Sequence, residues 1–212
     1  MKYDSRQDIF DFVYEMAMND ATRRTACAGS KNALLQHDRA KKEVQDYYGE
    51  SISGKGTSRT NNERIIKKVA SILKKVDNNF SFGNAQKLVN MVAKYYYITV
   101  SSDDSMKNRF ADFDCPMDRY MKSYVVSEYK RAIRNDDAQK RKRVEYYSNG
   151  TTETRDWSLI AWSKLTDKDV TIYSKYQDMA KYLSAIEHIS PLEYDYKHWR
   201  EAVNRMNNTN IN

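Results

Sequence analysis

The sequence predicts an all-α fold in a single domain, and three features of the chain support this prediction. Only two prolines and six glycines occur in 212 residues, and both residue types interrupt helices. Apolar residues recur at intervals of three and four, which is the spacing of an amphipathic helix. No linker-like stretch or internal repeat divides residues 1–212, and a chain of this length suits one hydrophobic core.

The apolar stripes place the elements along the chain. In order, we expect helices over 5–25, 30–48 and 61–76, a hairpin over 77–83, a helix ending near Tyr97, a helix with Pro116 in its first turn, and two last helices separated by Pro191. Proline suits a first helical turn because it lacks the N–H that would be unpaired there. The dipeptide Asn149-Gly150 marks a tight turn and allows one short β-hairpin within residues 135–156.

Several classes of protein are excluded by composition. No stretch approaches the roughly 20 apolar residues that a membrane span needs, and no apolar run follows Met1 to form a secretory signal. Two cysteines, Cys27 and Cys115, are too few for a disulfide framework or a cysteine-based zinc site. We therefore expect a cytoplasmic protein with no metal, no cofactor and no membrane partner.

The chain is basic, with a net charge of +7 and a pI near 9.2. Seven basic residues fall between positions 130 and 143 against two aspartates, namely Lys130, Arg131, Arg134, Lys140, Arg141, Lys142 and Arg143. This density suits a phosphate backbone, because each neutralised phosphate releases counterions. DNA is the expected partner, with RNA or a nucleoprotein complex as alternatives, and a solvated surface is the simplest structural explanation of the run.

Two short motifs carry a chemical hypothesis. Lys87 opens the stretch Lys87-Leu88-Val89-Asn90-Met91-Val92 just after the expected hairpin, and Asp118 closes the stretch Pro116-Met117-Asp118. Each residue is predicted in the first turn of a helix. A helix N-terminus disfavours an ammonium and favours a carboxylate.

The order and spacing of these motifs resemble the helix-hairpin-helix DNA glycosylase superfamily over about residues 61–130. The single hairpin glycine, Gly83, and the interval of 31 residues between Lys87 and Asp118 look closest to divergent archaeal 8-oxoguanine glycosylases. The resemblance implies that Lys87 forms a Schiff base with the sugar and that Asp118 assists it. It also implies that the backbone amides of Gly83 and Asn84 bind a phosphate. A flipped base would lie against aromatic rings, for which the candidates are Tyr95, Tyr96, Tyr97, Tyr120 and Trp199.

Two other functions remain open on the sequence. One is a non-catalytic protein that binds nucleic acid or a nucleoprotein through residues 130–143, of phage or mobile-element origin, for example a counter-defence inhibitor. The other is an interaction protein whose basic run contacts an acidic protein. The binding hypothesis predicts that neutralising Lys140 to Arg143 matters far more and that Lys87 is replaceable, whereas the glycosylase hypothesis predicts that Lys87 and Asp118 are each essential for turnover.

Overall fold

A computed structural model describes residues 5–22, 31–50, 59–99, 109–110, 112–135 and 160–209. Within these residues the fold is all-α and contains no strand, as the sequence predicts. The helices are α1 (Ser5–Thr22), α2 (Lys31–Glu50), α3 (Arg59–Leu73), α4 (Phe82–Thr99), α5 (Arg119–Ala132), α6 (Val170–Ile186) and α7 (Pro191–Thr209). Short 3₁₀ turns occur at Ile133–Asn135, Trp162–Lys164 and Asp167–Asp169.

The connection between α3 and α4 ends in a helix cap. Ser81 is followed by the first residue of α4, and its hydroxyl accepts a hydrogen bond from the Asn84 amide at 3.1 Å. In return, the Asn84 side-chain oxygen accepts one from the Ser81 amide at 3.1 Å. This reciprocal pair satisfies two amides at a helix start. It makes α4 begin at Phe82, within the last residues of the predicted hairpin.

The start of α5 differs from the sequence prediction. Pro116 is not in the first turn, because Asp118 is the N-cap and the helix begins at Arg119. The prediction about Pro191 is correct in its effect on the chain, since this residue is the first of α7. The Ser190 hydroxyl caps that helix by accepting from the Glu193 amide at 3.2 Å.

The central helix of the fold is α4, which packs against α1, α3 and α7, and most of its residues are buried. The helix pairs α2 with α3, α5 with α6 and α5 with α7 complete the packing. Large tyrosines fill the core in place of leucines, and Tyr14, Tyr173 and Tyr176 are almost completely buried. Burying such rings supplies apolar area that the aliphatic content alone lacks.

Buried polar groups hold the core in register around the Tyr173 hydroxyl. This hydroxyl donates to the Asp114 carboxylate at 3.0 Å. It accepts from the side-chain amides of Asn62 at 2.9 Å and Asn90 at 2.8 Å. Gln177 joins the same centre by donating to the Cys115 carbonyl at 2.8 Å. Because buried polar groups are costly unless they are hydrogen-bonded, this network specifies how α3, α4 and α6 meet.

The described residues test two further sequence predictions only in part. No helix among the described residues is long and apolar enough to cross a membrane. The short β-hairpin allowed within residues 135–156 lies outside the described residues, except for position 135.

Candidate active site around Lys87 and Asp118

A cavity of about 490 Å³ brings Lys87 and Asp118 to one surface of the protein. The prediction that each residue lies in a first helical turn is wrong, because Lys87 lies in the second turn of α4 and Asp118 is the N-cap of α5. Packing nevertheless joins these residues, which are 31 positions apart. The basic side chains Arg119 and Lys164 and the carboxylate Asp20 also line this cavity. The cavity is within the size range of small-ligand sites.

Asp118 has a structural role that the sequence does not distinguish from a catalytic one. Its Oδ1 atom accepts hydrogen bonds from the amides of Tyr120 and Met121, each at 2.9 Å. These bonds hold the side chain at the positive end of α5, which favours the ionised carboxylate. Among the described residues, only Oδ1 of this carboxylate accepts hydrogen bonds, so Oδ2 remains available to a ligand.

Lys87 is half-buried and lies over an aromatic ring. Its Nζ atom is 5.0 Å from the centroid of the Trp162 ring. No carboxylate among the described residues forms an ion pair with this ammonium within 4.0 Å. The ring face attracts the cation electrostatically, so Trp162 positions Lys87 at the cavity wall. Trp162 itself is half-buried and lines the cavity.

A buried ion pair adds to the electrostatic field of the cavity. Lys94, two turns after Lys87 on α4, lies 2.5 Å from the Asp195 carboxylate on α7. Complete burial raises the pKa of Asp195 to about 6 despite the attraction of Lys94. The charges of Asp118 and Lys87 act on this carboxyl in opposite directions, since Asp118 raises its pKa and Lys87 lowers it. The four residues therefore form one electrostatically coupled group.

The cavity wall is formed where the start of α4 meets the Trp162 turn. The Gly83 amide donates to the Leu165 carbonyl at 3.2 Å, and the Ser81 hydroxyl donates to the Ser163 carbonyl at 2.9 Å. A Cβ atom on Gly83 would lie 1.7 Å from the Trp162 carbonyl oxygen. The segment from Trp162 to Leu165 therefore covers the first turn of α4.

This packing corrects the expectation that Gly83 and Asn84 bind a phosphate. Both residues are buried, and the Gly83 amide already donates to Leu165. The Asn84 amide donates to Ser81 at 3.1 Å, and its side-chain nitrogen donates to the Ala21 carbonyl at 2.8 Å. A phosphate would need these donors and the space in front of them, both of which the protein's own residues take. Gly83 and Asn84 are packing and capping residues.

The basic residues that the sequence singles out lie at the other end of α5. Lys130 and Arg131 are in its last turn, and Arg134 is exposed in the 3₁₀ turn that follows. A helix of 14 residues is about 20 Å long, so these cations are well separated from Asp118. Arg131 forms an ion pair with Glu128. Lys140, Arg141, Lys142 and Arg143 lie outside the described residues.

Two alternative catalytic groups, His198 and Cys115, are engaged or buried. No group of three or more potential metal ligands occurs among the described residues. His198 instead contacts Glu187 at 2.8 Å and the Tyr124 hydroxyl at 3.0 Å. Cys115 is fully buried, and burial raises the pKa of its thiol well above the ordinary value. A thiol that stays protonated and inaccessible is unsuited to nucleophilic chemistry.

Several lining residues escape sequence reasoning, above all Trp162, Arg119 and Lys164. Trp162 follows the apolar residues Ile160 and Ala161 without the spacing of an amphipathic helix, so its identity as a tryptophan is the only signal. Of the aromatic candidates for a base pocket, Tyr120 lines the cavity. Trp199, on α7, instead contacts Lys94 of α4, whose Nζ atom is 5.8 Å from the Trp199 ring centroid. No protein-family model, curated protein or solved structure matches the chain.

Proposed function

We propose that the protein is a DNA glycosylase/lyase-like enzyme that removes a damaged or modified base through a Schiff base on Lys87. The observation that carries this proposal is the shared cavity of Lys87 and Asp118. An amine and a carboxylate at one cavity surface supply the nucleophile and the proton acceptor that the reaction needs. The rings of Trp162 and Tyr120 in the same lining supply faces for an extruded base.

The proposed step requires the Lys87 ammonium first to lose a proton to water. The lone pair of the neutral amine forms a bond to C1′ of the sugar, and the C1′–N bond to the base breaks with its electron pair going to the base, which then takes a proton from water. The amine proton passes to Oδ2 of Asp118. The nitrogen lone pair then forms a C=N bond to C1′ as the C1′–O4′ bond breaks, and the proton held by Asp118 passes to O4′. The positive charge that develops at C1′ is stabilised by the same carboxylate.

Borohydride trapping tests the proposed Schiff base. The wild-type protein is mixed with oligonucleotides that carry an abasic site or 8-oxoguanine, in the presence of borohydride, and released base is assayed in the same tubes. We expect a covalent adduct with the wild type and none with Lys87→Ala or Lys87→Arg, the second of which keeps the positive charge. Lys168→Ala removes an exposed lysine outside the cavity and is the control that keeps the adduct.

A second candidate function is nucleic-acid binding without catalysis, and the charge of the surface favours it. Arg119 and Lys164 join Lys87 in the first cavity, and Lys122 and Lys130 line the cavity beside it. Among the described residues that line the two cavities, these five cations compare with two carboxylates, those of Asp20 and Asp118.

Salt dependence and trapping separate the two functions. If neither adduct nor released base forms while salt-sensitive binding to the oligonucleotide persists, the non-catalytic function replaces the first proposal. Each phosphate contact contributes a slope of about −0.9 in log affinity against log salt on duplex DNA. Lys87→Ala is then expected to change that slope by no more than about 0.9, the value for one phosphate contact.

A further inference from the structure

A second cavity, of about 590 Å³, lies between α5 and the segment from Ile160 to Ser163. Its polar lining combines positive charge with hydroxyl groups, namely Arg119, Lys122, Lys130, Ser123, Ser127 and Ser163. No carboxylate is among the described residues that line it. The described part of this lining therefore carries positive charge without a carboxylate, in contrast to the mixed charge of the Lys87 cavity.

The helical repeat of α5 explains why these side chains share one cavity. Lys122 and Ser123 follow Arg119 by three and four residues, Ser127 follows Ser123 by four, and Lys130 follows Ser127 by three, over about three turns of the helix. This spacing puts them on one face. The opposite face of α5 carries apolar residues that pack against α6 and α7, so the orientation of the basic face is determined by the core.

Lys122 connects the two walls of this second cavity. The residue is buried, and its Nζ atom donates a hydrogen bond to the Ile160 carbonyl. A buried ammonium is only weakly screened by solvent, so its charge acts strongly on a ligand in the cavity. Arg119 at one end and Lys130 at the other extend the positive charge over the length of the cavity.

The remaining lining is apolar and aromatic. The Trp162 ring and the side chains of Val126 and Met206 form this part of the surface. An aromatic face accepts a stacked base, and methionine packs well against aromatic rings. A ligand that matches the whole lining has a flat heterocycle at one end and a phosphate at the other.

We propose that this second cavity binds a nucleotide, with its phosphate near Lys122 and Lys130 and its base against Trp162. The site requires no reaction at Lys87, so it stands apart from the proposed glycosylase activity. The two cavities share Arg119, Trp162 and Ser163. The nucleotide could be free in solution or part of a strand that continues into the Lys87 cavity. Both ligands present the same phosphate and base to this site.

Calorimetric titration tests the site, with dAMP as the free nucleotide, deoxyadenosine as its phosphate-free analogue and the tetranucleotide d(pT)4 as the strand. Lys130→Ala removes a phosphate contact and is expected to weaken binding about tenfold, the effect of one charge-assisted hydrogen bond. Lys168→Ala removes the same charge outside the cavity and is expected to leave the affinity unchanged. Deoxyadenosine is expected to bind more weakly than dAMP and equally to both variants.

A blocking variant separates loss of binding from loss of folding. Ser127 is exposed at the cavity lining, so Ser127→Trp fills the space without removing a charge. Ala132→Trp places the same ring on an exposed position of α5 outside the lining and is its control. Circular dichroism verifies that both variants keep the helical fold.

Each outcome of the titrations decides the proposal. Selective weakening of dAMP binding by Lys130→Ala and Ser127→Trp supports a site for a free nucleotide. The same selective effect on d(pT)4 alone supports a site for a nucleotide within a strand. If neither ligand distinguishes these variants from their controls, the cavity does not bind nucleotides. Borohydride trapping is independent of all three results, because it reports on Lys87.

Discussion

Gly83 and Trp162 are in backbone contact, since a Cβ atom at Gly83 would lie 1.7 Å from the Trp162 carbonyl oxygen and 2.7 Å from its carbonyl carbon. This contact joins α4 to the 3₁₀ turn that carries the Trp162 ring. The ring in turn lies under Lys87 and lines both cavities. One glycine therefore determines where the shared wall of the two cavities stands.

Replacement of Gly83 is expected to destabilise the fold and to displace the Trp162 turn. Gly83→Ala forces backbone atoms apart, and overpacking of this kind costs about 3 kcal/mol. Gly49→Ala is the matched control, because nothing lies within 4 Å of a Cβ at that helical position and alanine is the better helix former. Urea unfolding compares the two variants, and equal stability of both would contradict the close contact.

Asp118 offers a way to separate a capping role from a chemical one. Asparagine caps helices about as well as aspartate, whereas loss of the cap costs about 1 kcal/mol. We therefore expect Asp118→Asn to unfold at nearly the same urea concentration as the wild type and Asp118→Ala at a lower one. If Asp118 also accepts the proton from Lys87, Asp118→Asn abolishes base release without this loss of stability. Normal base release by Asp118→Asn would leave Asp118 with the capping role alone.

The stability of the protein is expected to depend on pH through Asp195. Burial raises the pKa of this carboxyl to about 6 in the folded protein, against about 3.9 in an unfolded chain. Between these values the folded state binds more protons, so the free energy of unfolding contributed by Asp195 falls as the pH rises from about 4 to about 6. The contribution is complete below this range and lost above it.

Urea unfolding at several pH values measures this dependence. Residue 195 cannot titrate in the variant Asp195→Asn. The free energy of unfolding of this variant is therefore expected to lack the decrease with rising pH that Asp195 causes between about pH 4 and 6. The variant also leaves the Lys94 ammonium buried without its partner, which lowers stability by about 3 kcal/mol or more. The difference in slope between variant and wild type is the decisive quantity, and identical slopes would exclude the raised pKa of Asp195.

The end of α6 contains a strained residue that substitution should relieve. His188 has a φ of 57°, and the Ile189 amide returns to the Ser184 carbonyl at 3.0 Å. This is a Schellman ending, which favours glycine at the left-handed position. His188→Gly is expected to stabilise the protein by about 1 kcal/mol. Ala185→Gly, at an exposed position within the same helix, should instead destabilise it by about 1 kcal/mol in thermal unfolding.

The helices were predictable because they depend on local patterns. The stripe of Ile65, Ile66, Val69 and Leu73 predicts α3, and these four side chains are buried in the structure. The beginning of α5 was not predictable from Pro116, since proline precedes a cap as well as it begins a helix. The choice depends on Asp118, whose carboxylate reaches the amides of Tyr120 and Met121.

The candidate site divides in a similar way. The sequence singles out Lys87 and Asp118 by their motifs, and the two residues do line one cavity. The sequence also assigns Gly83 and Asn84 to phosphate binding. A helix start whose amides are free and a helix start whose amides are bonded to another segment of the protein look alike in sequence. The segment that occupies it, residues 162–165, is some 80 positions away.

By itself, the sequence determined the all-α class, the approximate helix bounds and the basic character of the chain, because periodicity and composition act over a few residues. Only the tertiary structure decided that Trp162 lies beneath Lys87, that Gly83 is a packing residue and that a second, electropositive cavity adjoins the first. These features arise between segments far apart in the chain, where the geometry of packed helices decides which side chains meet.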